Sequence, residues 1–306
     1  MKKTHIFLVL IVSLLLITSC KQVDDVKGPF IGGTNGLIVS FEPNAPASKF
    51  EVGESVPVRV LLNNKGEFDL LPGDVGVQLF GIHRPSFGIS DAYITNKGDL
   101  PGISDFLENG GEQEVDMGNI AYIQAISNSE SFQLRARACY PYETKSQINA
   151  CISSVNIEEG KGEQVCTIAN EKVTAGSVSS APIQITSFTE EFRGSDKIVF
   201  NIVVENKGAG IVYAPSSECS QLDDPDFRVD NENIIFFSIS PSDITCRFAF
   251  ESGSSGEVKL RERVGNIVCQ KDVPDTDSSF EQKILINLKY KYVDSSSTNF
   301  EVFEKI

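Results

Sequence analysis

The sequence contains no tryptophan and only two histidines, His5 and His83. Its seven cysteines include no C-x-x-C pair, so the common zinc ligand sets and the common redox motif are missing. Nucleophilic hydrolysis needs a base beside the nucleophile, and no G-x-S-x-G or S-x-x-K pattern accompanies His83. We therefore predict that the protein is not an enzyme and that it holds no cofactor and no metal.

Clusters of positive charge are also missing. The chain carries 27 Lys and Arg against 42 Asp and Glu, a net charge of −15. A nucleic-acid-binding protein needs basic clusters that replace counterions along the phosphate backbone, so we exclude nucleic acid as a partner. The same charge argues against a body that lies flat on anionic lipid.

Long hydrophobic runs are limited to the start of the chain. Lys2 and Lys3 precede Ile6–Ile17, twelve residues interrupted only by Ser13. A membrane-spanning helix needs about 20 apolar residues, whereas the apolar part of a signal peptide needs about 7–15. The run ends in Ile17-Thr18-Ser19-Cys20, which is typical of a lipoprotein cleavage site.

These features predict a lipoprotein signal peptide over residues 1–19 and lipid on Cys20. The alternative is an ordinary secretory signal in which Cys20 lies beside the cut by chance. Lipid on Cys20 would make the membrane a partner and would place the protein outside the cytoplasm, anchored to the cell membrane.

Composition and turn spacing predict an all-β protein. Hydrophobic residues make up 41% of the chain, and short alternating runs are separated by Asn, Gly and Pro turns. This pattern is typical of antiparallel Ig-like β-sandwiches. We predict a tether over residues 20–35, tandem sandwiches over residues 36–173 and 182–306, and a linker over residues 174–181.

Two short motifs recur in the same order. Val60–Gly66 (VLLNNKG) matches Ile202–Gly208 (IVVENKG) at an offset of 142 residues. Tyr140-Pro141-Tyr142 matches Tyr290-Lys291-Tyr292 at an offset of 150 residues. Two matches with a small change of offset predict that the two sandwiches are copies of one fold.

Six cysteines remain after Cys20, and an even number in an exported chain predicts three disulfides. Alternation places Cys139 and Cys151 on the same outer face of a predicted hairpin, Phe132–Tyr140 and Ile148–Val155, so we expect them to bond. Cys246 and Cys269 are expected to pair between neighbouring strands. Cys166 and Cys219 would then tie the domains together; the alternative is a Cys166 bond within its own domain and one free cysteine.

The longest connection, residues 82–111, is the predicted binding segment. It contains Arg84, Phe87, Ile89 and Tyr93, and we expect Phe87 and Ile89 to be exposed contact residues. The alternative is a segment that packs over one end of the core.

A second polar segment, Asp223-Asp224-Pro225-Asp226 followed by Asp230, offers oxygen ligands of the kind that calcium prefers. The spacing does not match an EF-hand loop, so we predict a solvated loop.

The strand ending in Asn-Lys-Gly and its repetition resemble the CARDB-like Ig-type modules of bacterial and archaeal surface proteins. With Cys20 and Cys139-Tyr140-Pro141-Tyr142, the chain is similar to archaeal-type surface lipoproteins over residues 36–306. The resemblance implies a non-catalytic binding or adhesion module at the cell surface, with another surface protein or a glycan as the partner. The alternatives are a spacer without a ligand and, least favoured, a lipid-anchored hydrolase.

Overall fold

A computed structural model describes residues 28–154, 160, 164–194, 196–249, 251–273 and 278–305. The predicted signal peptide, Cys20 and the first part of the tether lie outside these residues. None of the helices in the described ranges has the length and apolar composition needed to cross a membrane.

Antiparallel strands dominate both halves of the chain. The N-terminal half contains β1 (Leu37–Phe41), β2 (Lys49–Glu51), β3 (Val56–Asn64), β4 (Gly76–Phe80), helix α1 (Arg84–Phe87), β5 (Ile94–Thr95), β6 (Glu112–Ile120) and β7 (Ser129–Ile152). The C-terminal half contains β8 (Ile183–Phe192), β9 (Lys197–Asn206), β10 (Ile211–Tyr213), helix α2 (Pro225–Asn231), β11 (Ile234–Ser240), β12 (Ile244–Arg247), β13 (Ser252–Gly253), β14 (Ser255–Lys259), β15 (Val264–Asp272) and β16 (Phe280–Phe303). The all-β prediction is confirmed.

The strands form three sheets. A large eight-stranded sheet has the order β14-β11-β16-β7-β4-β5, and β10 and β2 also pair with β16. The two smaller sheets have the orders β1-β3-β6 and β13-β12-β15-β9-β8. In both smaller sheets, the strand that ends at the Asn of an Asn-Lys-Gly motif, β3 or β9, lies between two antiparallel neighbours. That the halves are copies of one fold stays a prediction.

Two very long strands join the halves. β7 and β16 have 24 residues each and pair antiparallel along their whole length. The hairpin predicted over Phe132–Val155 is therefore wrong, because residues 141–147 continue the strand instead of turning. The predicted boundary at residues 174–181 separates the halves along the chain, but the large sheet passes through both.

We call the middle of β7, residues 141–147, the waist. Its contacts show why the prediction of a turn failed. Polar residues there face inward: Thr144 and Ser146 are buried. The Thr144 hydroxyl donates to the Ile183 carbonyl at 2.6 Å, and residues 177–179 pair with the β7 backbone beside Ser146. Linker backbone covers this part of β7 and β8 backbone accepts the Thr144 hydrogen bond, whereas the buried Ser146 Oγ has no hydrogen-bond partner among the described residues.

The two repeated motifs contact each other in the fold, through a hydrogen bond in each half. The Tyr142 hydroxyl donates to Asn64 Oδ1 at 3.1 Å, and the Tyr292 hydroxyl donates to Asn206 Oδ1 at 3.1 Å. Tyr142 lies opposite Tyr290 and Tyr140 opposite Tyr292, so four buried rings form a tyrosine block at the waist. Burial raises the pKa of each of these hydroxyls, that of Tyr292 to about 12.

All six cysteines of the described chain form disulfides: Cys139–Cys219, Cys151–Cys166 and Cys246–Cys269. The Cys246–Cys269 prediction is confirmed, since the two residues are direct partners on β12 and β15. Three disulfides indicate an oxidising compartment outside the cytoplasm.

The other two predicted pairs, Cys139–Cys151 and Cys166–Cys219, are wrong. Cys139 and Cys151 do share the outer face of β7, but they lie on one continuous strand. Twelve residues of strand span about 40 Å, whereas a disulfide tolerates a Cα separation of at most about 7 Å. A link between the halves exists, but it is formed by Cys139 and Cys219.

The glycines of the Asn-Lys-Gly motifs generate a prediction about stability. A Cβ at Gly66 would overlap the Tyr142 hydroxyl and lie 2.7 Å from the Asn35 and Ser180 carbonyl oxygens. We expect Gly66→Ala to lower the free energy of unfolding by about 3 kcal/mol through overpacking. Gly98 is the matched control from the third Asn-Lys-Gly, because its nearest neighbour would be 3.8 Å away. Urea unfolding of both variants checks this, and equal losses would contradict it.

Candidate functional site

The predicted binding segment is packed against the core. Phe87 is 1% exposed, and its ring centroid lies 4.8 Å from that of Tyr122 and 4.9 Å from that of Phe132. Ile89 is half-buried against the same core. The expectation that Phe87 would be an exposed contact residue is therefore wrong: α1 turns the ring inward, where aromatic neighbours from β7 and β16 receive it.

Arg84 and Tyr93 also have structural partners. Arg84 Nε donates to the Leu79 carbonyl at 3.1 Å, and the guanidinium pairs with Asp91. Tyr93 is half-buried under the Arg137 guanidinium, 5.6 Å from the ring centroid, and burial raises the pKa of its hydroxyl. The four predicted contact residues are not brought together on one exposed surface.

His83 lies close to a serine, but the contact is local. His83 Nδ1 is 2.8 Å from Ser86 Oγ at the start of α1, and the Ser86 backbone N–H donates to the His83 carbonyl. Ser86 is buried, and no carboxylate among the described residues orients the imidazole. The pair therefore lacks both the exposed nucleophile and the third group that hydrolytic triads use.

The acidic segment near residue 223 has structural roles. Asp223 forms an ion pair with Arg137 at 2.7 Å. Asp224 is the N-cap of α2 and accepts from the Asp226 and Phe227 backbone N–H groups. Within the described ranges, no three His, Cys, Asp or Glu side chains converge in a way that could hold a metal ion.

One buried carboxyl group has a strongly perturbed pKa. The Glu190 side chain is fully covered, accepts from the Cys151 backbone N–H at 2.8 Å and lies 3.2 Å from Lys172 Nζ. Burial raises its pKa to about 7, although the positive charge of Lys172 and the Cys151 hydrogen bond oppose the shift. The hydrogen bond from Cys151 places the carboxyl group beside one half of the Cys151–Cys166 disulfide.

A concave surface lies at the waist. Two adjoining depressions of about 370 and 610 Å³ share walls made by Phe30, Ile31 and Ile103, and we call them the waist groove. Phe106 stands at the rim and is 100% exposed, while Ile31 is 49% exposed. A groove with apolar walls and an unburied aromatic ring is typical of binding surfaces.

The groove is held rigidly by hydrogen bonds. The Glu67 carboxylate accepts from the Ile31 and Gly32 backbone N–H groups, each at 3.0 Å, and from Ser180 N–H at 2.6 Å. It thus ties the tether and the linker to the loop after β3. Ser104 and Leu107 exchange two backbone hydrogen bonds of 3.1 Å, which close the tight turn that presents Phe106.

The sequence pattern does not identify Phe30, Ile31 and Phe106 as groove residues. Phe30 and Ile31 lie in the predicted tether, and Phe106 lies in a polar stretch of the predicted binding segment. The sequence signal for Phe106 is an aromatic residue between Ser104-Asp105 and Leu107-Glu108 in a region of turns. A ring at the tip of a turn has no core to pack into, so it is expected to be exposed.

Comparison with known proteins gives little further information. No family model matches the chain, and no curated protein matches it. A solved structure with some similarity is the CupB6 tip adhesin from Pseudomonas aeruginosa, at 9% identity over 90% of this chain and 96% of that chain. The TM-score of 0.16 is too low to support an argument about fold or function.

Glu190 generates a prediction about pH. Its native pKa of about 7 exceeds that of an unfolded chain, about 4.3, so the folded state binds more protons between these values. Stability should therefore fall as pH rises from about 4.5 to 7 and regain this contribution on acidification. Glu190→Gln should remove this decline, on the order of 3 kcal/mol in total.

Urea unfolding at several pH values measures the effect. Glu191→Gln is the matched control, because Glu191 is the exposed neighbour on β8. The account is contradicted if the wild type and Glu190→Gln show the same pH dependence.

Proposed function

We propose that this protein is a non-catalytic binding or adhesion module, anchored outside the cytoplasm by lipid on Cys20, that binds its partner at the waist groove. The sequence pattern before Cys20 supports the anchor. The three disulfides support the compartment. Lipidation, partner and family resemblance remain predictions, and the groove is the new observation.

Phe106 carries the proposal for binding. A phenyl ring that is 100% exposed in the free protein has unfavourable contact with water, at roughly 25 cal/mol for each Å² of apolar surface. Rigid presentation lowers the entropy lost on binding, because the turn is already closed by the Ser104–Leu107 hydrogen bonds. Aromatic residues in such positions often dominate binding energy.

The charged groups of the groove narrow the class of partner that the groove could bind. Glu67, Asp105, Glu108 and Glu143 contribute carboxylates to its walls, against the ammonium group of Lys145. Lys289 pairs with Glu143 at 3.3 Å, and the acidic groups still outnumber the basic ones. We therefore favour a segment of another cell-surface protein that offers an apolar side chain for Phe106 and a basic group beside it. A glycan, whose sugar faces stack on aromatic rings, is the second partner class.

A structural spacer is the alternative function, and one observation favours it. The paired β7 and β16 run through both halves, which makes the body stiff. A stiff body could separate other envelope components without a ligand of its own. This alternative leaves the exposure of Phe106 without a role.

Photo-cross-linking in intact cells tests the proposal. We expect a photoreactive phenylalanine analogue at position 106 to form one discrete adduct with a surface component. Ile31→Ser should reduce that adduct at least fivefold, since it removes an apolar wall of the groove. The same analogue at Val229, which is 74% exposed on α2, is the matched control and should give no such adduct.

Two results would refute binding at the groove: no adduct at position 106, or the same adduct at positions 106 and 229. Either would favour the spacer.

A further inference from the structure

The large sheet ends in a strand with one uncovered edge. β14 pairs with β11 on one side, and no other described strand pairs with it. Ser255, Glu257 and Lys259 are exposed, whereas Gly256 and Val258 are buried on the opposite face. An edge strand of this kind can pair with a strand of another chain.

The backbone groups of β14 alternate between its two sides. The N–H group of Leu260, the residue after β14, donates to the Asn233 carbonyl at 2.7 Å, so even-numbered residues turn their backbone groups toward β11. In an antiparallel ladder the intervening residues turn theirs the opposite way. The N–H and C=O groups of Ser255, Glu257 and Lys259 therefore point to the uncovered edge.

We propose that β14 pairs antiparallel with β14 of a second copy of this chain, so that the two large sheets join across a two-fold axis. The charge pattern of the strand selects a second copy as the occupant of the edge. When the pairing is centred on Val258, Glu257 lies opposite Lys259 of the second copy, and Lys259 lies opposite its Glu257. Both pairs fall at hydrogen-bonded positions and lie on the exposed face.

The neighbouring registers of the same edge are less favourable. A pairing centred on Glu257 would set two carboxylates directly opposite each other, which destabilises a sheet. A pairing centred on Gly256 would leave Lys259 without an acidic residue opposite it. Charge complementarity therefore specifies one register in which the strand matches itself.

Both charged side chains are available for these pairs. Within the described ranges, the Glu257 carboxylate has no ion pair or hydrogen bond. Lys259 Nζ donates to the Val229 carbonyl at 3.2 Å, and an ammonium group has two further donors. A lysine on an edge strand usually opposes pairing with another sheet, but Glu257 supplies the opposite charge here. The proposal does not rest on the lipid anchor or on the waist groove.

Co-recovery of two differently tagged full-length copies, made in the same cells and released in detergent, measures the pairing. Glu257→Lys and Lys259→Glu each set like charges opposite each other. Each variant should therefore recover its own second copy about tenfold less than the wild type does. Copies of Glu257→Lys should recover copies of Lys259→Glu as the wild type recovers itself, because both opposed pairs then have opposite charges.

Matched variants separate this local effect from net charge. Glu191→Lys and Lys97→Glu make the same changes of charge at exposed positions outside β14 and should leave recovery unchanged. Circular dichroism checks that each variant is folded. The proposal is overturned if the wild type does not recover itself, if all combinations are recovered equally, or if the mixed combination stays as weak as the single variants.

A zero-length carbodiimide cross-link tests the register in the wild type, because it joins a carboxylate to an amine only when the two are in direct contact. Copies labelled with light and heavy nitrogen isotopes are mixed before cross-linking. We expect adducts of Glu257 with Lys259 in which one peptide is light and the other heavy. Adducts that never combine the two isotopes would lie within one chain and would overturn the pairing.

Discussion

The backbone pairing of β7 with β16 is the interaction on which the rest of the structure depends. It runs from Ser129 opposite Phe303 to Ile152 opposite Phe280 without a break. Strands of this length extend for about 80 Å, long enough to carry both smaller sheets. Each half therefore completes its core with a strand from the other half, as when Phe300 of β16 packs near Phe87.

The waist is the place where this arrangement is most constrained, and it is also where the functional features meet. The tyrosine block fills the inner side, the linker covers polar residues of β7, and Glu67 ties the tether to the linker. Because the waist groove is built from the tether, the linker and the loop before β6, it exists only when the two halves are joined. Structure and proposed function thus depend on the same junction.

Local sequence patterns identify residues of the waist, but they do not show that one long strand passes through it. Asn64 and Tyr142 were recognisable as repeated residues, and alternation placed Cys139 and Cys151 on one face correctly. The hairpin prediction places a turn between Tyr140 and Ile148, because sequence alone does not show that linker and β8 backbone would cover the residues there. Pairing with the distant strand β16 decides between a hairpin and one long strand. The alternation of residues before and after the predicted turn is the same in both structures.

The candidate site was harder to predict for the same reason. Phe87 and Phe106 are both phenylalanines of the segment 82–111, and only the fold shows that β7 and β16 cover the first while no described residue covers the second. Disulfide connectivity is similarly non-local, and Cys139–Cys219 spans 80 residues. Cys246–Cys269 was predictable because it joins neighbouring strands.

The central claim is that the halves form one cooperative unit through β7 and β16. Differential scanning calorimetry of the full chain and of Gly208→Ala tests it most directly, since a Cβ at Gly208 would overlap the Tyr292 hydroxyl in the C-terminal half. The account predicts one transition that moves as a whole to lower temperature, with equal calorimetric and van't Hoff enthalpies. Two transitions, of which only one moves, would contradict it.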